Sequence, residues 1–159
     1  MNVRFTRFLV LALVFCPLAA RAQSAADIAK VVYLMQADSY AYKTTSSPTV
    51  WTIHFAGEHL KDIKVVVAIG SGDDAQIVVF VTVTPKSTMP VTTDFMRHLL
   101  EQNHNFDRVK IEYDGDDDLS VRIDAKLRVT DAQEFKNIVD QVKSVSDDLY
   151  GDVESQLSK

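Results

Sequence analysis

The sequence predicts an α+β fold in which three helices accompany an antiparallel sheet, in the order α-β-β-β-β-α-β-β-α. Two observations lead to this prediction. Apolar residues recur at helical spacing in three segments, 24–39, 92–105 and 130–151. The segments between them are short, are rich in β-branched residues or alternate strictly, and are bounded by Gly, Asp, Ser and Pro.

The first 22 residues have the composition of a secretory signal peptide. Arg4 and Arg7 precede a short apolar run, and Ala20-Arg21-Ala22 has the small-x-small pattern of a cleavage site. The apolar run is shorter than the roughly 20 residues that a membrane-spanning helix needs. We therefore expect residues 1–22 to be removed, the mature protein to begin at Gln23, and its location to be periplasmic or secreted, without a stable membrane anchor.

Composition narrows the classes of function. Cys16 is the only cysteine, and Phe15 before it is too large for lipoprotein processing, so the mature chain has neither a disulfide nor a reactive thiol. Cleavage leaves 137 of the 159 residues, enough for one domain. It removes three of the 17 basic residues and no acidic one, which shifts the net charge from −5 to −8. An acidic chain without a basic stripe is not typical of proteins that bind nucleic acid or anionic membranes.

The first half of the chain predicts one helix and four strands. After the helix, two short strands flank the turn Ser46-Ser47-Pro48, and Trp51 alternates with apolar neighbours in a way that predicts a core position. The runs 63–70 and 75–85 form the strongest β signal, a hairpin around 71–74. The residues that give the helix its apolar face are Ile28, Val31, Val32 and Met35.

The second half predicts a helix, two strands and a long final helix. Strands 109–113 and 119–128 place apolar residues on one side and mostly charged residues on the other, as in a sheet with one solvated face. Thr130 and Gln133 have the spacing of a capping box, and Gly151 suits a helix end. We therefore predict a single domain over 23–151 and a frayed tail over 152–159. The helix over 92–105 has its apolar face at Phe95, Met96, Leu99 and Leu100.

Four aspartates surround a glycine in Asp114-Gly115-Asp116-Asp117-Asp118. The stretch lies between two predicted strands, and its composition is that of a hairpin turn. A calcium loop of the EF-hand type would require Gly at 119 and Glu at 125, where the chain has Leu119 and Ala125. We interpret it as a solvated turn, and weak binding of a cation is the alternative.

No other pattern in the sequence predicts catalysis, a metal or a cofactor. His54, His59, His98 and His104 do not have the spacing of a zinc site. The lone Gly-x-Gly at 70–72 precedes a strand instead of a phosphate-binding helix, and no serine elbow is present. We expect a protein without catalytic residues and without a cofactor.

Strands 64–70 and 76–84 are apolar on both faces, which predicts that both faces are covered. If the odd-numbered residues face the helices, then Val66, Ala68, Val78 and Phe80 emerge on the other side. A loop such as 57–63 or an end helix would cover them, or they form a patch that a second copy of the chain or a partner segment completes.

The segment "LLEQNHNFDRVKIEYDGDDDLSVRIDAKLRV" (99–129) resembles the YbjN family and the related type III secretion chaperone-like fold. It combines a helix ending Leu-Leu-x-x-Asn, a strand, an Asp-rich turn and a strand with a central Val-Arg. The final helix completes the pattern, so the resemblance extends over about 25–150. It implies an α+β domain, often dimeric, that binds protein segments and has no catalytic residues.

Two hypotheses about function remain. The first is an exported, non-enzymatic protein-binding module that holds a protein or peptide partner or a second copy of itself. The second is a small-ligand or cation-binding domain that uses the turn at 114–118 or the histidines. Secretion chaperones of this fold act in the cytosol, so the predicted export argues against a role in loading a secretion apparatus.

Overall fold

A six-stranded antiparallel sheet forms the centre of the protein, and three helices pack against one of its faces. The computed structural model describes residues 25–70, 74–89 and 92–157. The predicted signal peptide, its cleavage position and most of the 71–74 turn lie outside these residues. The α+β prediction is confirmed.

The elements follow one another in the predicted order. Helix α1 covers 25–37, and α2 and α3 cover Thr93–Asn105 and Ala132–Leu157. Short 3-10 turns at Lys86–Thr88 and Leu127–Val129 follow the fourth and sixth strands. The strands are β1 Tyr42–Thr44, β2 Val50–Phe55, β3 Ile63–Gly70, β4 Gln76–Thr84, β5 Lys110–Tyr113 and β6 Leu119–Lys126.

The spatial order of the strands is β1-β2-β3-β4-β6-β5. Every neighbouring pair is antiparallel, and four of the five pairs are also neighbours in sequence. The exception is β4 beside β6, which places the later hairpin next to the earlier strands and makes β5 an edge strand.

A single core lies between the sheet and the helices. Trp51 is 2% exposed, as its alternation in β2 predicts. Helix α3 lies across β3, β4 and β6. Tyr40, just before β1, packs edge-on against Phe55 and Phe135, with ring centroids 5.9 and 6.0 Å away. The helical residues of the core include Val31, Leu34, Met35, Phe95, Leu99, Phe135, Ile138, Val139, Val142, Leu149 and Val153.

Different kinds of residue cap the N-terminal ends of α2 and α3. Thr92 caps α2, since its hydroxyl accepts a hydrogen bond from the N–H of Phe95 at 3.1 Å. At α3 the cap is Asp131, which accepts from the N–H of Glu134 at 2.8 Å, whereas the predicted capping residue Thr130 donates to Lys126. The capping-box prediction is therefore wrong.

Helix α3 continues beyond the glycine at which the sequence predicts its end. The segment 152–157 is helical, and Val153 within it is 1% exposed, so the expected frayed tail is helix as far as Leu157. Gly151 has a different role, because a Cβ atom there would come within 2.9 Å of the His59 ring. This close approach accounts for the glycine without a helix end.

Candidate functional site: the outer face of the sheet

The four residues of the sequence-predicted patch lie together on the face of the sheet opposite the helices, here called the outer face. Val66 is paired with Phe80 across β3 and β4, and Ala68 is paired with Val78. Val78 is 9% exposed and the other three are half-buried. The residues that alternate with them point into the core.

The apolar patch extends further than the sequence analysis predicts. Val50 is paired with Ala68 and Thr52 with Val66, so β2 adds a third strand to the patch. Their alternation with Trp51, which is buried, could have identified them. The row through the patch centre crosses all six strands, as Lys43, Thr52, Val66, Phe80, Arg122 and Lys110.

The loop that could have covered this face is bound to the helical side instead. The backbone N–H groups of Glu58, His59 and Leu60 donate to the carboxylate of Asp147 on α3, at 2.8, 3.0 and 2.7 Å. Helix α3 itself buries its apolar stripe against the inner face. Within the described residues, neither this loop nor an end helix lies over Val66 and Phe80.

The β5–β6 side of the outer face carries a network of ion pairs. Arg122 Nε donates to Asp124 Oδ1 at 2.7 Å, and its Nη1 lies 3.4 Å from Glu112 Oε1. Lys110 Nζ donates to Asp124 Oδ2 at 3.0 Å. Burial alone would raise the pKa of Asp124, but the hydrogen bonds from Arg122 and Lys110 lower it overall. The hydrogen bond to Asp124 is also the main reason that the pKa of Arg122 is raised.

The opposite side of the outer face carries lysines without such partners. Lys43 is paired with Thr52, and Lys64 with His54, across neighbouring strands. Both lysines are exposed, and neither forms an ion pair with any residue that the structure describes. His54 Nδ1 is hydrogen-bonded to Asp62 at 2.8 Å. The β1–β3 side of the face therefore has an excess of positive charge, although the chain as a whole is acidic.

The acidic stretch at 114–118 is a hairpin turn, as predicted. Asp114 organises it, because its Oδ1 accepts from the N–H groups of Asp116 and Asp118 at 2.9 and 3.0 Å. Asp117 has a φ of 63°, and its carboxylate pairs with Lys86. The backbone N–H of Lys86 donates to Asp118 at 2.9 Å. Most of these carboxylates are thus used by the turn itself or by the segment after β4.

The structure brings the turn and the patch together, which the sequence analysis does not predict. A depression of about 210 Å³ on the outer face lies between them. Its walls combine the apolar patch, the Arg122 network and the first half of the turn. They consist of Val78, Phe80, Glu112, Asp114, Gly115, Asp116, Ser120 and Arg122.

The four histidines contact different parts of the protein and do not form one cluster. His98 Nε2 is hydrogen-bonded to Asp152 Oδ2 at 2.8 Å, which links α2 to α3, and the ring of His59 lies against Gly151. His54, on β2, is hydrogen-bonded to Asp62, and His104 is exposed near the end of α2. Among the described residues, no group of three or more His, Cys, Asp or Glu side chains could hold a metal ion.

The chain matches no protein-family model and no curated protein. Within the described ranges, no helix has the length and apolar character that crossing a membrane requires.

Proposed function

We propose that the chain is an exported, non-enzymatic protein-binding module whose binding surface is the outer face of the sheet. The proposal rests on one observation. Val66, Ala68, Val78 and Phe80 form a continuous apolar patch on the sheet face opposite the helices, where three of the four are only half-buried and where Val78 and Phe80 line an open depression. Contiguous apolar surface on a sheet is costly to leave in water, and it also favours aggregation of β-rich segments.

The layout of the face favours a protein as the partner. Protein interfaces combine an apolar centre with a charged, solvated rim, and here the rim is formed by the Arg122 network and by Lys43 and Lys64. The six strands contain 38 residues, and at a strand spacing of about 4.8 Å and a rise of about 3.3 Å per residue they give a face of about 600 Å². A partner in a typical interface contributes about 800 Å², so the face and its rim are of suitable size.

The charges also indicate what the partner presents. Lys43 and Lys64 have no ion pair within the described part of the chain, whereas the cations beside β5 are paired with Asp124 and Glu112. A partner that places apolar side chains on the patch and carboxylates opposite Lys43 and Lys64 would satisfy both features.

The ionisable groups favour binding over catalysis. Burial, with a smaller contribution from the nearby carboxylates of Asp140 and Asp38, raises the pKa of Tyr40 to about 12. Tyr40 therefore remains protonated at neutral pH and cannot act as a base. Among the residues described, no serine or threonine hydroxyl is hydrogen-bonded to the His98 ring, and the Ser155 hydroxyl donates to the main-chain carbonyl oxygen of Asp152 instead, so the His98–Asp152 pair does not form the triad that acyl transfer uses.

The expected export and the resemblance described under the sequence also support the proposal. The composition of residues 1–22 supports secretion to the periplasm or beyond. The observed order of elements is the one on which the resemblance to the YbjN family rests, and a protein-binding role is what that resemblance implies.

Replacement of Phe80 tests the proposal. Phe80→Ser removes the largest apolar side chain of the patch, and Leu100→Ser, on α2, removes an apolar side chain that is 70% exposed elsewhere. We expect Phe80→Ser to weaken partner capture from the periplasmic fraction, or self-association, by about tenfold or more (about 1.4 kcal/mol) while the melting temperature changes little. Leu100→Ser should retain both. If Phe80→Ser unfolds the protein and wild type is a monomer without a partner, Phe80 is a core residue and the proposal is wrong.

A further inference from the structure

The free edge of β5 is closed by a side chain from α2. The Nδ2 of Asn103 donates to the carbonyl oxygen of Ile111 at 2.8 Å, and the Oδ1 of Asn103 accepts from the N–H of Ile111 at 2.7 Å. Both main-chain groups of Ile111 therefore point away from β6 and are used by one amide side chain.

These are the two groups that a further strand would use. A carboxamide offers one acceptor and a donor in the arrangement of a peptide group, so Asn103 occupies the position of a seventh strand at this point. Exposed sheet edges pair readily with other chains, and proteins commonly cover them. Asn103 lies on a helix, so the cover can be removed without disturbing the β5–β6 ladder.

Helix α2 buries few of its side chains. Of its 13 residues only Phe95 and Leu99 are buried, and Leu100 is 70% exposed. A depression of about 270 Å³ lies between α2 and α3, beside Gln102 and Phe106, and one of about 210 Å³ lies on the other side of α2, beside Leu100. A helix with few buried side chains and depressions on both sides is among the elements that cost least to displace.

The sequence of β5 is complementary to itself. If Ile111 of one copy is placed opposite Ile111 of another in antiparallel pairing, their outward N–H and C=O groups form two hydrogen bonds. In that register Lys110 of each copy stands opposite Glu112 of the other, and Val109 stands opposite Tyr113. Opposite charges on one face and apolar groups on the other both stabilise cross-strand pairs.

We propose that Asn103 locks the β5 edge and that release of α2 opens it to β5 of a second copy, joining the two sheets about a two-fold axis at Ile111. This surface is separate from the outer face, and the proposal does not depend on the function proposed above. The structure contains the locked state, in which the edge is satisfied within one chain.

The test removes the lock and measures self-association by sedimentation. Asn103→Leu has a similar size but can neither donate to nor accept from Ile111. Gln102→Leu, its neighbour on α2, is the matched control because Gln102 makes no hydrogen bond to β5. We expect Asn103→Leu in the full chain to self-associate with a Kd at least about tenfold below that of wild type and of Gln102→Leu.

Charge substitutions test the register. Adding Lys110→Glu to Asn103→Leu places the new glutamate of each copy opposite Glu112 of the other, and this repulsion should abolish the dimer. Further addition of Glu112→Lys restores opposite charges at these positions and should restore the dimer. Phe80→Ser should leave the dimer intact. An Asn103→Leu protein that sediments like wild type overturns the proposal, and so does a dimer that Phe80→Ser dissociates, because it would use the outer face.

Amide exchange keeps the proposal testable if Asn103→Leu folds poorly. Asn103→Asp still accepts from the N–H of Ile111 but cannot donate to its carbonyl oxygen. The Ile111 amide should be protected in wild type and in Asn103→Asp, and it should exchange in dilute, monomeric Asn103→Leu. Rapid exchange at Ile111 in wild type, comparable to that of an exposed loop, would show that the lock does not exist.

Discussion

The Oδ1 atom of Asp147 accepts a hydrogen bond of 2.7 Å from the backbone N–H of Leu60, which precedes it by 87 residues. The same carboxylate accepts from the N–H groups of Glu58 and His59. One side chain of α3 thus fixes the whole turn between β2 and β3. Gly57 allows this approach, since a Cβ atom there would lie 2.3 Å from Asp147 Oδ1. The loop is thereby held on the helical side, and the outer face stays uncovered by it.

Asp147→Asn should destabilise the protein by about 1.5–3 kcal/mol, the range for hydrogen bonds to a charged group. The asparagine side chain retains one acceptor oxygen, but its NH₂ group replaces the second oxygen. At that position the backbone N–H groups of the loop then face another donor instead of an acceptor. Urea unfolding at pH 7 measures the effect. Asp148→Asn is the matched control, because Asp148 is exposed and next to it in sequence, and it should change the free energy of unfolding by no more than about 0.5 kcal/mol. Equal effects of the two substitutions would show that the loop contact does not stabilise the fold.

The contribution of Asp147 should depend on pH. Burial alone would raise its pKa, but the backbone hydrogen bonds from Leu60, Glu58 and His59 lower it overall. Because the folded-state pKa is below the unfolded value of about 3.9, the stabilisation is present above that pH and is lost as the pH falls through the folded value. The gap between wild type and Asp147→Asn should therefore narrow below about pH 4. A gap that stays constant down to pH 2 would contradict this explanation.

The residues of the acidic turn should differ in their effects on stability. Asp114→Ala removes the acceptor for two backbone N–H groups and should cost about 1 kcal/mol, as the loss of a comparable capping side chain does. The double variant Asp116→Asn, Asp117→Gly should remain within about 0.5 kcal/mol of wild type, and glycine suits the positive φ at 117. Thermal melting with and without calcium provides the measurement. A loss of several kcal/mol in the double variant, or calcium stabilisation that it abolishes, would favour the cation-binding hypothesis.

The spacing of apolar residues predicted the helices and strands well, because an element that buries one side carries apolar residues at a regular spacing along the sequence. The alternation around Val66 and Phe80 placed the patch on the correct face before its neighbours in the sheet were known. The pattern could not show that Val78 lies next to Asp124, since that pairing joins strands separated by α2 and β5. For the same reason the depression between the patch and the acidic turn has no signature in the sequence.

The contacts that the sequence did not predict are hydrogen bonds from a side chain on one element to the backbone of another segment. Asp147 and Asn103 look like ordinary polar residues on helix surfaces, because their partners are backbone groups, which every residue carries. Gly151 was misread for a related reason: a glycine inside a helix can mark its end or the approach of another group, and only the position of His59 distinguishes the two. Polar residues that fix loops and edges therefore have to be identified from the structure.

Asp38, at the end of α1, lies in an environment that disfavours its ionised form, unlike the other carboxylates discussed above. Its Oδ2 atom is buried without a hydrogen-bond partner among the described residues, and the same is true of the hydroxyl oxygen of Tyr40. Burial raises the pKa of Asp38, the charge of Lys136 opposes that effect, and the charge of Asp140 adds to it. A raised folded-state pKa means that the contribution of Asp38 to stability is largest below about pH 4 and is lost as the pH rises through the folded value. At neutral pH its ionised form reduces stability.

Asp38→Asn should therefore raise the free energy of unfolding at pH 7 by about 0.5–1 kcal/mol. An unpaired buried polar group costs about 1–3 kcal/mol, and the lower end applies because Asp38 is only half-buried. Urea unfolding at pH 7 and at pH 3 measures the effect, and the difference between the two proteins should shrink at pH 3, where wild-type Asp38 is protonated. If Asp38→Asn is instead destabilising at pH 7, the attraction of Lys136 outweighs the cost of burial. A melting temperature of wild type that rises with an added cation, while that of Asp38→Asn does not, would indicate that Asp38 and Tyr40 hold a ligand.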